Sequence, residues 1–154
     1  MTRTVPTPEE MHALGGELAA LLRAGDLVVL RGDLGAGKTT LTQGIGAGLG
    51  VRGAVTSPTF VIARVHPSVT GGPALVHVDA YRLGSLAEVD DLDLDASLAE
   101  SVTVVEWGAG LVEGLADDRL EVTVSRALGA GGDETRTVDV VAVGERWAGA
   151  ALPA

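Results

Sequence analysis

The 154-residue chain contains no cysteine. That excludes disulfides, thiolate metal sites and cysteine nucleophiles together, so any metal must be held by oxygen or histidine. Lysine is almost as scarce. Of the eleven basic residues ten are Arg, and Lys38 stands alone. Against 21 acidic residues they leave a formal net charge of −10. Such a chain is poorly suited to grip a phosphate backbone unaided, because non-specific nucleic-acid affinity comes mainly from Lys and Arg displacing counterions. If nucleic acid is the target, another subunit is expected to hold it. No stretch approaches the roughly 18 uninterrupted apolar residues of a membrane span, and the segment from Met1 to Pro6 lacks the apolar run of a signal peptide. The expectation is a cytoplasmic protein.

What is present suits one globular unit. Hydrophobic residues make up 46% of the chain, enough for a single core, and neither a repeat nor a long linker divides it. A single domain over 1–154 is expected, with an Ala-rich tail frayed from about residue 148. Thr7-Pro8-Glu9-Glu10 combines an N-cap, a proline at the first helical position and a capping-box glutamate. Met11, Leu14, Leu18, Leu21 and Leu22 continue that helix to about Arg23, and Gly25 stops it. Leu27 to Leu30 reads as a strand buried on both faces. After a glycine-rich turn, Lys38 to about Leu49 reads as a helix; its three internal glycines cost about 1 kcal/mol each relative to Ala, so packing must hold it. Val61 to Val65, Leu75 to Val78 and Val102 to Val105 read as strands, and the stretch from Ser85 to Glu100 as one or two short helices. Leu120 to Val124 and Thr137 to Val143 form an expected antiparallel hairpin.

The segment Gly32-Asp33-Leu34-Gly35-Ala36-Gly37-Lys38-Thr39-Thr40 carries the strongest chemical signal. It matches the P-loop pattern and lies between a predicted strand and a predicted helix, the context that the pattern requires. Glycines let backbone N–H groups curl around phosphate oxygens, and the following helix directs its positive end at the same anion. Lys38 is expected to reach the β- and γ-phosphates and the Thr39 hydroxyl to ligate Mg²⁺. A glycine-rich composition alone would place a lone lysine in this pattern with a chance on the order of 1 in 400. A nucleoside triphosphate site is therefore expected. Guanine-reading GTPases use an Asn/Thr-Lys-x-Asp segment, and no second lysine exists to build one; ATP is favoured over GTP.

A P-loop hydrolase needs a further acid at the end of a neighbouring strand, to hold Mg²⁺ and to orient the attacking water. Asp79 ends the predicted strand Val76-His77-Val78, and Glu106 ends Val102 to Val105, both at the strand ends where α/β folds bind ligands. His77 itself is expected to be a core residue or to be satisfied by backbone. Thr56-Ser57-Pro58-Thr59-Phe60 lies where nucleotide-sensing loops sit, although a plain turn explains it equally well. Arg82 suits a phosphate or a local acid, and Trp107 suits an anchor at the end of its strand.

Together the P-loop, Ser57-Pro58-Thr59-Phe60, His77-Val78-Asp79-Ala80-Tyr81-Arg82-Leu83 and Glu106-Trp107 resemble the bacterial TsaE family, the small ATPase of tRNA threonylcarbamoyladenosine biosynthesis. Four motifs in this order across residues 32–107 are far more specific than the P-loop alone. The resemblance implies a P-loop α/β fold, with a parallel core sheet, flanking antiparallel strands and helices on both faces. It implies Mg²⁺ and ATP as ligands and the TsaB and TsaD subunits as partners, with tRNA reached indirectly through that complex. By position it gives phosphate and Mg²⁺ to Lys38 and Thr39, metal association to Glu106, hydrolysis to Asp79 and γ-phosphate sensing to Thr59. Residues from Gly129 onward match no family motif. Two other readings stay open on the residues themselves: a small-molecule kinase, against which the Ser85 to Glu100 stretch lacks the arginines of a lid, and a nucleotide-gated binding module with negligible hydrolysis.

Overall fold

The computed structural model describes residues 2–32, 37–51, 63–79, 100–106, 118–126 and 135–149. Helix α1 (Pro8–Ala19) starts as its capping sequence requires: Thr7 is extended and its hydroxyl accepts the Glu10 N–H at 3.2 Å. Met11, Leu14 and Leu18 bury one face. The helix ends at Ala19 and not near Arg23. Leu21 and Leu22 instead donate to the carbonyls three residues back, Leu18 and Ala19, which tightens the last turn, and the Asp26 carboxylate accepts the Arg23 N–H at 2.8 Å.

Among the described residues seven strands form one sheet in the order β1-β7-β6-β2-β5-β4-β3, with β1 (Thr2–Val5), β2 (Leu27–Gly32), β3 (Ala63–His66), β4 (Ala74–Asp79), β5 (Ser101–Glu106), β6 (Arg119–Arg126) and β7 (Arg136–Val143). The four central strands β6, β2, β5 and β4 are parallel, whereas β1, β7 and β3 join antiparallel at the flanks. This is the α/β P-loop architecture, and β2 lies at its centre. The expected antiparallel hairpin is present as β6 with β7, and β3 also pairs antiparallel with β4. Strand β1 escapes a reading of apolar runs because it has four residues and only Val5 is buried. A 3-10 turn, Glu145–Trp147, is the other unforeseen element; it buries Trp147 in the ground expected to precede a frayed tail.

Alternation sorts the sheet into two faces. Val28 and Leu30, Val102 and Val104, Leu120, Val122 and Val124 share a core with Leu14 and Leu18 of α1 and Leu41 and Ile45 of α2 (Lys38–Leu49). On the other face Leu27, Val29, Val76, Val78 and Val105 are buried as well. The helices expected from Ser85 to Glu100 lie outside the described residues. Among those described, no helix is long and apolar enough to cross a membrane.

The glycines of α2 are explained by what they touch. A Cβ on Gly44 would lie 2.0 Å from the His12 carbonyl oxygen, and one on Gly48 would lie 2.6 Å from the Ala19 methyl. From the opposite side, a Cβ on Gly15 would lie 2.4 Å from the Leu41 carbonyl oxygen. The two helices therefore meet backbone to backbone. Burying Leu41, Ile45 and Leu49, each worth about 1.5–3 kcal/mol, offsets the propensity lost at the glycines.

Candidate functional site

The site grows from the carboxyl end of β2. Gly32, the first residue of the phosphate-loop pattern, has φ 150, and a Cβ there would lie 2.4 Å from the Val124 carbonyl oxygen on β6. Only glycine lets the chain leave the strand so close to its neighbour. Gly37 closes the loop with φ 109, a left-handed conformation, and its Cα packs on the Met11 side chain, whose Cε would be 3.3 Å from an added Cβ. Asp33, Leu34, Gly35 and Ala36 lie outside the described residues.

Gly37 is also the N-cap of α2 and supplies no side-chain oxygen to it. The first turn of this helix, including Thr39 and Thr40, consequently presents a positive end without a capping side chain. Thr39 and Thr40 are half-buried. Lys38 is buried, 6% exposed, and its Nζ reaches back across the loop to donate to the Gly32 carbonyl at 2.7 Å. A long cation on the first residue of a helix is unfavourable near the helix's positive end. Its placement makes chemical sense if the ammonium works on an anion in the same loop.

The two acids predicted from strand ends are brought together. Asp79 and Glu106 are directly opposite across the parallel β4/β5 pair, and Leu30, two residues before Gly32, is the partner of Glu106 on β2. Neighbouring strands lie roughly 4.8 Å apart, so both acid positions share one sheet edge with the loop. Glu106 follows Val102 and Val104 onto the face covered by α2, and it is 5% exposed. Position 79 has the same parity through its register with Glu106. Thr59, Tyr81, Arg82 and Trp107 lie outside the described residues.

His77 is the core residue expected of it. Its ring is fully buried, and among the described residues neither ring nitrogen has a hydrogen-bond partner. Its Nε2 is 3.6 Å from Glu106 Oε2. The signal was the two-residue spacing to Asp79 on one strand, which puts both positions on one face.

The residues present fit a nucleoside triphosphate with Mg²⁺: an uncapped helix start, one ammonium folded into the loop, a threonine at the second helical position and a buried carboxylate at the same edge. Comparison with known proteins gives the chain its relatives. Residues 5–136 match the family model described as threonylcarbamoyl adenosine biosynthesis protein TsaE. The chain is 68% identical over 139 residues to the tRNA threonylcarbamoyladenosine biosynthesis protein TsaE of Streptomyces coelicolor, covering 90% of this chain and 94% of that protein. It is 41% identical over 146 residues to the Bacillus subtilis protein of the same name, covering 94% and 87%. The crystal structure of Bacillus subtilis YdiB superposes with a TM-score of 0.74 at 34% identity, over 96% of this chain and 88% of that one. On the fold, the loop and these relatives together, the chain belongs to the TsaE family of threonylcarbamoyl adenosine biosynthesis proteins.

Proposed function

We propose that the chain binds Mg-ATP in the loop from Gly32 to Thr40, hydrolyses it slowly alone, and supports threonylcarbamoyladenosine formation at position 37 of tRNA together with TsaB and TsaD. The observation that carries the reading is the buried Lys38 ammonium, held 2.7 Å from the Gly32 carbonyl. With every other basic residue an arginine, this is the one lysine available to accompany phosphate oxygens into the loop. Backbone N–H groups at the start of α2 bind the phosphates, and the Lys38 ammonium exchanges its carbonyl partner for phosphate oxygens. Thr39 and Glu106 are the residues that would hold Mg²⁺, which neutralises charge developing on the transferred phosphoryl group. Asp79 orients the water. Thr59 senses the γ-phosphate. The acidic chain leaves tRNA contact to its partners in the cytoplasm.

Lys38→Ala tests the site directly. A charged hydrogen bond of this kind is worth about 1.5–3 kcal/mol, so calorimetry should show Mg-ATP binding about 10- to 100-fold weaker with the unfolding midpoint retained. Unchanged affinity would refute the loop assignment. Phosphate release by the wild-type chain should rise when TsaB and TsaD are added, and release that stays flat, with unaltered tRNA modification, would remove the partner reading.

A further inference from the structure

Buried polar atoms almost always have partners, and one left without any costs about 1–3 kcal/mol. Among the described residues His77 has two such atoms, on a side chain with 0% exposure in a strand where an aliphatic residue would pack without that cost. The ring is nonetheless aimed. Its Nε2 faces Glu106 Oε2 at 3.6 Å. At 3.6 Å no hydrogen bond is formed, but a rotation of either side chain that closes a few tenths of an ångström would form one.

We propose that His77 is a positioning residue for Glu106: its neutral imidazole, carrying the proton on Nε2, holds Oε2 of the carboxylate and leaves Oε1 to serve the nucleotide site. The strand register supports this. His77 pairs with Val104, and Glu106 follows two residues later on the same face, so the ring lies diagonally behind the carboxylate, one step further from the sheet edge. A donor placed there pulls on the oxygen that points into the core. The opposite tautomer would turn the Nε2 lone pair toward an oxygen lone pair and repel it. No change in the charge of the imidazole is needed. The proposal rests on the reading of Glu106 as the metal-associated acid, and its first test is independent of nucleotide.

Nitrogen-proton correlation spectra of the uniformly ¹⁵N-labelled full chain, which has only three histidines, report the tautomer directly. His77→Gln identifies the resonance. The expected result is a protonated Nε2 and a bare Nδ1, with the Nε2 proton moving upfield in Glu106→Gln as a carboxylate acceptor is replaced by an amide. A proton on Nδ1, or a resonance indifferent to Glu106→Gln, overturns the proposal even if the chain is a proficient ATPase. The second test separates positioning from packing. His77→Leu removes the unpartnered nitrogens at similar bulk, so the unfolding midpoint should hold or rise while kcat falls about 10- to 100-fold and KM for ATP stays within a small factor. His77→Gln, which can still present an N–H, should recover part of that loss. In a Glu106→Gln background, His77→Leu should cost nothing further, since the group it positions is gone. Equal losses in both backgrounds, or a loss that tracks the unfolding midpoint, assign His77 to packing and refute the role.

Discussion

Arg146 grips Asp26 with two parallel hydrogen bonds, Nε to Oδ1 and Nη2 to Oδ2, each 3.1 Å long. The same Nη2 donates to the Leu21 carbonyl at 2.8 Å, and the guanidinium lies 4.1 Å from the centroid of the Trp147 ring. One residue from the C-terminal 3-10 turn therefore ties down the connection between α1 and β2. Arg146→Ala would leave Asp26, 5% exposed, without its cation, at a cost of about 2–4 kcal/mol. Arg146→Lys should recover only part of this, because an ammonium cannot reproduce the fork. Urea unfolding measures both. Asp26 lies at the far end of β2, about 20 Å from Gly32 at 3.3 Å per residue, so KM for ATP is expected to stay unchanged.

The backbone crossing of α1 and α2 makes opposite forecasts for two glycines. A methyl on Gly44 would sit 2.0 Å from the His12 carbonyl oxygen, and no side-chain rotation relieves a clash with backbone. Gly44→Ala should separate the helices and destabilise the fold by about 3 kcal/mol or more. A Cβ on Gly16 meets nothing within 4 Å, so Gly16→Ala should gain about 1 kcal/mol of helix propensity. The pair is read by denaturant midpoint at constant m-value. If Gly44→Ala is tolerated like Gly16→Ala, the helices do not meet as described.

Thr103 tests the sheet interior in the same way. Its Oγ1 is buried without a partner among the described residues, at a position that pairs with Leu27 and Val76 on the neighbouring strands. Valine has nearly the same shape and no hydroxyl. Thr103→Val should raise stability by about 1–2 kcal/mol, measured as a higher urea midpoint, and leave turnover alone. A loss of stability would refute the reading of the Thr103 hydroxyl as an unpaired group.

How much of this was legible follows from which signals are local. The Thr7 cap, the strand into Gly32 and the helix from Lys38 are set by adjacent residues, and each stands where the spacing placed it. Both strand-end acids could be found because the end of an apolar run is visible in the sequence. Strand β1 was not visible, since its partner is more than 130 residues away and three of its four residues face out or lie half-buried. A separation of 120 residues hid the Arg146 clamp: nothing near position 146 announces that Asp26 waits for it. The α2 glycines were read correctly as a cost requiring packing, but that the packing is α1 backbone is a tertiary fact. His77 lies between these cases, since its two-residue spacing to Asp79 gave the face and only the fold gave its neighbour Glu106.

The adjacent acids carry the sharpest prediction about chemistry. Glu106 and Asp79 are register partners at the loop's edge of the sheet, and both are assigned to metal and water, not to phosphate affinity. Removing a group that acts mainly in the transition state lowers kcat and kcat/KM together and spares ground-state binding. Glu106→Gln and Asp79→Asn keep shape and delete one charge each. Each should lower steady-state phosphate release by about 100-fold or more, while calorimetric affinity for Mg-ATP stays within about threefold of wild type. Because the two act at one centre, the double variant should be little slower than the worse single one. Two variants that bind Mg-ATP and turn over normally would end the assignment of both acids. Two that fail to bind would move them from the chemical step to nucleotide affinity, and the division of labour between loop and strand ends would fall with it.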